Sequence, residues 1–330
     1  MHKVKTSTKL TVAALIAVAC ILPLITGRNN NYWNNIYISF CYYGILAASL
    51  NLIMGYSGLI SLGHAAFMAI GAYTYAILSK TFGVHFLPAA VCAIAFTFLC
   101  GLVVGLTSCK LSSIYLAMAT STFAKALTIF IKNERNLTGG ANGFSGIAKW
   151  KVFGLTLKNF EFYYVALILC LLVLLVCYRL IYSKTGRALR ALSTAPIAAS
   201  AMGINVNGYK LMINGIAAAM AAVAGIVYAV SNGYISADMF TNFSAKLMTM
   251  VIVGGVGSLW GPVCGSAFIA MLPEWMRGWS NHLDGVYGGA IILCALYMPG
   301  GLFGAVKHLW YRATANRRPT PLGNPIGKEA

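Results

Sequence analysis

Ionisable side chains are scarce in this chain of 330 residues, so each one inside an apolar stretch stands out. Lys125, in TSTFAKALTIF, lies about one and a half helical turns from the outer end of the apolar run Leu111–Ile131. A charge at that depth is a functional candidate by default, although a four-carbon stem also lets lysine snorkel to the membrane surface. His64, in SLGHAAF, fits either a hydrogen-bonded packing residue or a titrating switch. The acidic residues mostly border predicted outer loops (Glu134, Glu161, Asp238, Asp284), and Glu329 is near the end of the chain. No two carboxylates are placed for acid–base work or for carrying protons. The chain has no Walker A sequence, no GxGxxG after a strand and no HExxH. Its nine cysteines mostly lie in apolar runs without CxxC or Cys/His metal spacing, so they read as small packing residues. The chain is therefore expected to be no enzyme and to bind no metal or cofactor. Energy for any transport would come from outside it.

The elements that must carry these residues follow from composition. Fifty-nine per cent of residues are hydrophobic and 9% charged, against ~25% charged in soluble domains. Apolar runs long enough to cross a ~30 Å hydrocarbon core recur along the chain. The expected fold is an all-α polytopic membrane protein of about ten transmembrane segments. These are Leu10–Thr26, Ile36–Met54, Gly63–Ser79, Leu87–Thr107, Leu111–Ile131, Phe162–Tyr182, Leu211–Val230, Phe243–Val256, Val263–Met276 and Gly285–Val306. Lys-rich Met1–Lys9 before the first segment resembles a secretory signal, but no small-x-small cleavage site precedes Gly27, so an uncleaved span is expected. Two regions are irregular. Gly55–Gly71 and Gly254–Gly265 set glycines, and Pro262, beside apolar halves shorter than ~20 residues. They read as broken or re-entrant helices near a binding site, or as close helix packing through small residues.

The net charge of +18 has a topological reading, not a nucleic-acid one. Basic residues concentrate in Lys3–Lys9, in Ser183–Lys210 and in the tail, and all three regions can be placed on the cytoplasmic side, near anionic lipid. Residues 1–306 would then form one transmembrane domain, with a periplasmic loop at 132–161 and a cytoplasmic loop at 183–210. Residues 307–330 would be a basic cytoplasmic tail. Within Ser183–Lys210, Ser193 or Thr194 suits an N-cap, Pro196 a first turn and Gly203 a left-handed stop. That frames a short helix, Ala195–Met202, too short to stand alone in water. It rests either on a partner subunit or on the bilayer surface.

Four blocks resemble a known family in order: GYSGLISLGHAAFMAIGAY (Gly55–Tyr73), LTGGANGFSGI (Leu137–Ile147), GRALRAL…IAASAMGIN (Gly186–Asn205) and VGGVGSLWGP (Val253–Pro262). The chain resembles the LivM-type permease subunit of branched-chain amino-acid ABC importers. The resemblance implies a permease in the bacterial inner membrane, paired with a LivH-type permease, two ABC ATPases that hold ATP and magnesium, and a periplasmic substrate-binding protein. It implies that Gly186–Asn205 couples to the ATPase, with Gly186, Arg187, Arg190, Ile197, Ala198, Ala199 and Gly203 as its residues. The translocation path is expected to involve Asn51, Gly58, Ser61, Gly63, His64, Lys125, Gly254, Gly255 and Gly257.

The chain departs from the family pattern at charged positions. Lys125 and Lys246 stand where acidic residues are usual, and Ala195 or Pro196 and Ser200 replace acids around the coupling core. These departures bear on substrate and docking. Urea and short-amide importers use related subunits, so the ligand is not fixed by the motifs. A self-contained channel or secondary carrier is the competing class, and liposomes holding the chain alone would discriminate it.

Overall fold

A computed structural model describes residues 30–275, apart from 153, 154 and 242, together with isolated positions at 19, 20, 23, 285, 286, 288, 289, 292, 301 and 304. The expected first span, Leu10–Thr26, the last, Gly285–Val306, and the 307–330 tail therefore lie essentially outside the described residues. Within them the chain is nearly all helical. Helix α1 (Asn31–Asn51) runs without a break into a π-helical turn, Leu52–Tyr56. After the 57–63 connection come α2 (His64–Lys80), α3 (Phe86–Lys110), α4 (Ser113–Asn133) and the single turn α5 (Arg135–Thr138). Helix α6 (Asn159–Tyr182) leads into α7 (Lys184–Thr194) and α8 (Pro196–Ala201), and α9 (Val206–Asn232) follows. The described part closes with α10 (Ala237–Thr241), α11 (Phe243–Gly254) and α12 (Gly261–Trp275).

Among the described residues, five helices are long and apolar enough to cross a membrane: α1 with its π-turn, α3, α4, α6 and α9. Helix α2, at 17 residues, is shorter but buried along most of its length. The irregularity expected over Gly55–Gly71 is thus confined to the end of the π-turn and the 57–63 connection, because His64 onward winds regularly. Helix α11 has 12 residues, roughly 18 Å at 1.5 Å per residue, which does not match a ~30 Å core by itself. Helix α12 is helical over all 15 of its described residues.

Burial separates core from rim. Helices α1, α2 and α9 are mostly buried, whereas α3, α4 and α6 turn Leu99, Val103, Met118, Phe130, Ile168 and Leu172 outward. An apolar exterior of this kind suits lipid. Small residues set the core spacing. A methyl group at Gly225 of α9 would collide with the Met68 carbonyl oxygen of α2, so the two backbones touch.

The two ends of the bundle differ. At one end, α7, the start of α9 and the end of α3 gather Lys110, Lys184, Arg187, Arg190 and Lys210. At the other, the 134–158 segment folds over the bundle. Trp150 stacks on Phe86 at 5.0 Å and donates its indole N–H to Tyr75 at 2.8 Å. Strands β1 (Phe144–Ser145) and β4 (Tyr234–Ile235) pair antiparallel above it, while β2 (Lys151–Val152) and β3 (Leu155–Thr156) form a hairpin. Gly143 permits this cap, with φ +75° and the Ile235 carbonyl oxygen 2.6 Å from where a Cβ would sit.

Candidate functional site

Most residues expected on the translocation path lie along the α1–α2 junction and on the 254–257 stretch that crosses it, most of them buried and Gly58 exposed. Asn51 accepts from the Gly257 N–H at 2.9 Å and donates to the Ser258 carbonyl at 2.8 Å, clamping the 255–260 connection onto α1. Gly254 and Gly255 precede that clamp, and Gly301 returns against Gly255. The 57–63 connection is fixed to α4. Ser113 accepts from the Ile60 N–H and donates to the Gly58 carbonyl, while Thr120 accepts from the Leu62 N–H. Ser61 is buried, and Gly63 abuts the Thr120 carbonyl. His64, 1% exposed, shares a 2.7 Å hydrogen bond with Ser49, and its Nδ1 has no partner among the described residues. None of these expected path residues is among those walling the cleft that holds Lys125.

Lys125 is placed elsewhere. Between α2, α4, α10 and α11 lies a cleft of about 520 Å³, walled by Leu62, Ala66 and Ala69, by Ser121, Lys125 and Thr128, and by Phe240, Thr241, Ser244 and Met248. The chain reaches it by dipping inward after β4. Phe240 contacts Tyr73 and Tyr228, and Phe243 sits 5.8 Å from Tyr43, eleven residues along α1 from Tyr32. That is roughly 16 Å below the start of α1. Helix α4 runs on to Asn133, so Lys125 is eight residues from its end, over two turns or ~12 Å, and not the one and a half turns expected. Ser121, Lys125, Thr128 and Lys132 follow an i, i+4, i+7, i+11 spacing and form one polar stripe down this helix. That spacing is visible in the sequence, and it is the signal that finds Ser121 and Thr128. At the mouth Lys132 pairs with Asp238 at 2.6 Å.

The basic end carries a second feature. The short helix expected over 195–202 is α8, and a second helix not expected there, α7, precedes it with Gly186, Ala188, Leu189 and Leu192 buried. The N-cap of α8 is Ala195. Ser193 and Thr194 belong to α7 and donate back to the Arg190 carbonyl. Pro196 takes the first position of α8, and Gly203 (φ +80°) ends it. There the Gly203 N–H reaches the Ser200 carbonyl and the Ile204 N–H reaches that of Ala199, a double closure that only a left-handed residue allows. Ala199 faces inward, while Ala198 is exposed and Ile197 and Met202 are 87% and 84% exposed. Arg187 and Arg190 are exposed on α7, and the Arg190 guanidinium lies over the Tyr56 ring at 5.4 Å. Gly58 contacts Ser193, so α7 also touches the 57–63 connection.

The family described as "branched-chain amino acid transport system / permease component" matches residues 32–296. The high-affinity branched-chain amino acid permease protein LivM of Salmonella typhimurium is 32% identical over 319 residues, covering 89% of this chain and 74% of the relative. LivM of Escherichia coli gives the same figures. LivH of Escherichia coli is 25% identical over 287 residues, 79% of this chain and 91% of its own. No solved structure matches the chain. With four-fifths of its length inside the family's boundaries and its helices those of a multi-pass membrane protein, the chain belongs to the branched-chain amino-acid transport permease family.

Proposed function

We propose that the chain is one of two permease subunits of an ATP-driven importer for branched-chain amino acids. On this reading it sits in the bacterial inner membrane with about ten segments, α11 and α12 acting as a broken or re-entrant pair. Both termini and the α7–α8 arm face the cytoplasm, as the basic end favours. A LivH-type permease supplies the other half of the pathway. Two ABC ATPases bind and hydrolyse MgATP, and a periplasmic binding protein delivers the solute. The crossing around Asn51, Gly58, Ser61, Gly63, His64, Gly254, Gly255 and Gly257 holds the broken segments in register, and the cleft carries the solute.

One observation supports the ATPase partner most directly: Ile197 and Met202 stand exposed on the short helix α8 and its C-cap, which the Gly203 turn closes. Fully burying a side chain of this size is worth about 1.5–3 kcal/mol, so a partner groove would bind this knob well. Arg187 and Arg190 beside it offer charge to an acidic rim. The test is Ile197→Glu in the reconstituted complex with its second permease, ATPases and binding protein. Solute-stimulated ATP hydrolysis should fall at least tenfold, while membrane insertion is unchanged and liposomes holding the chain alone stay inert. Unaltered stimulation in Ile197→Glu would mean that α8 lies on lipid instead.

A further inference from the structure

Lys125 is the one charged side chain among the described residues lining the cleft. No hydrogen bond or ion pair joins it to a described residue. The described carboxylates nearby are committed or distant. Asp238 pairs with Lys132, and Glu161 accepts from the backbone N–H of Lys158 at the start of α6. Glu274 bonds Tyr32, and Glu134 lies beyond the end of α4. Lys125 is exposed at the cleft's edge, and an ammonium more than two turns from the end of a membrane-spanning helix is costly unless an anion or the interface meets it. The hydroxyls one turn to either side are complementary in another way. Ser121 donates to the Met118 carbonyl at 2.8 Å and Thr128 to that of Ala124 at 2.9 Å, so each turns spare oxygen lone pairs outward as acceptors.

We propose that Lys125 recognises the carboxylate of the transported solute, with Ser121 and Thr128 as acceptors for its ammonium. The inference rests on the reading of this chain as half of an importer. It names the group on this chain that would tell a free amino acid from a neutral amide, while Ala66, Ala69 and Met248 would cover the apolar body. Urea and neutral amides offer no charge to Lys125. The contact is made during passage, after the binding protein has released its ligand, so it acts on turnover and not on capture. A lipid phosphate carries the same chemistry, but the depth of Lys125 favours the solute.

The experiment compares Lys125→Met, Lys125→Arg and Lys125→Glu in the whole complex, reading ATP-dependent uptake of radiolabelled leucine. Lys125→Met should lower kcat at least tenfold with KM and basal ATP hydrolysis unchanged. Lys125→Arg should stay within threefold of the parent, and Lys125→Glu should fall below Lys125→Met. Parental uptake in Lys125→Met, or equal loss in Lys125→Arg, overturns the proposal. So does a defect present only in vesicles containing phosphatidylglycerol, which would assign Lys125 to a lipid headgroup. A parent complex that moves no leucine would count against the importer reading itself. The carboxylate contact is then judged separately, by labelling Lys125 with an amine-reactive ester and reading the adduct by mass spectrometry. Protection by leucine at concentrations where leucinol gives none supports it, and equal protection or none overturns it.

Discussion

Where the 255–260 connection meets α1, Asn51 commits both ends of its amide to one loop, to Gly257 and to Ser258. In the cleft, Ser121 and Thr128 return their hydrogens to their own helix and Lys125 meets no described partner. Helix α4 carries both styles one residue apart. Thr120 faces inward and accepts from the Leu62 N–H, while Ser121 faces the cleft. A polar group whose capacity is filled by protein holds the fold together. One with capacity left over is free to serve a solute.

That contrast can be broken most severely at Asn51. Asn51→Leu leaves the Gly257 N–H and the Ser258 carbonyl unpaired in the interior, each at about 1–3 kcal/mol. The thermal midpoint of the purified permease should fall by roughly 5 °C or more, and uptake should fall with it. A midpoint unchanged from the parent would show the clamp to be dispensable. Thr120→Val is a smaller break. It keeps the shape but removes the acceptor for Leu62, at about 1–2 kcal/mol. A clear drop in midpoint with near-parental uptake per folded molecule is expected, the reverse of the Lys125→Met pattern. Lys132→Ala is the mildest. Its pair with Asp238 is partly exposed, with side-chain exposures of 38% and 69%, and such pairs are worth ~0–1 kcal/mol. A shift of more than about 2 °C would mean that the mouth depends on this pair for its shape.

Much of this architecture is legible in the sequence because apolar run length is a long-range, additive signal. The segments Ile36–Met54, Leu87–Thr107 and Phe162–Tyr182 fall within α1 with its π-turn, α3 and α6, whose ends lie no more than five residues beyond them. The left-handed stop at Gly203 is legible too, since glycine there has one conformational purpose. Helix α7 is harder to find. Its GRALRAL repeat is too polar for a membrane span, and only the spacing of Ala188, Leu189 and Leu192 marks the face that folds back onto the bundle. The crossing is harder still, because a glycine's neighbour across space leaves no trace in its neighbours along the chain. Asn51 and Ser258 are 207 positions apart, and nothing local to either announces the other. Lys125 stands out from the sequence, but its cleft does not. The cleft depends on α10 dipping inward, which five residues reading ADMFT do not foretell.

The π-turn at Leu52–Tyr56 has a consequence for angles. In α-helical winding, at 3.6 residues per turn, positions five apart point about 140° away from each other. The i→i+5 bonding of a π-turn stacks them nearly one above the other. Asn51 and Tyr56 are five apart, and they reach the 255–260 connection and Arg190 of the α7–α8 arm respectively. The single extra residue therefore works as an angular shim, rotating two otherwise divergent handles of one rod onto the same side. Forcing these same residues into uninterrupted α-helical winding would leave every contact partner in the sequence, yet swing the lower handle well away from the arm.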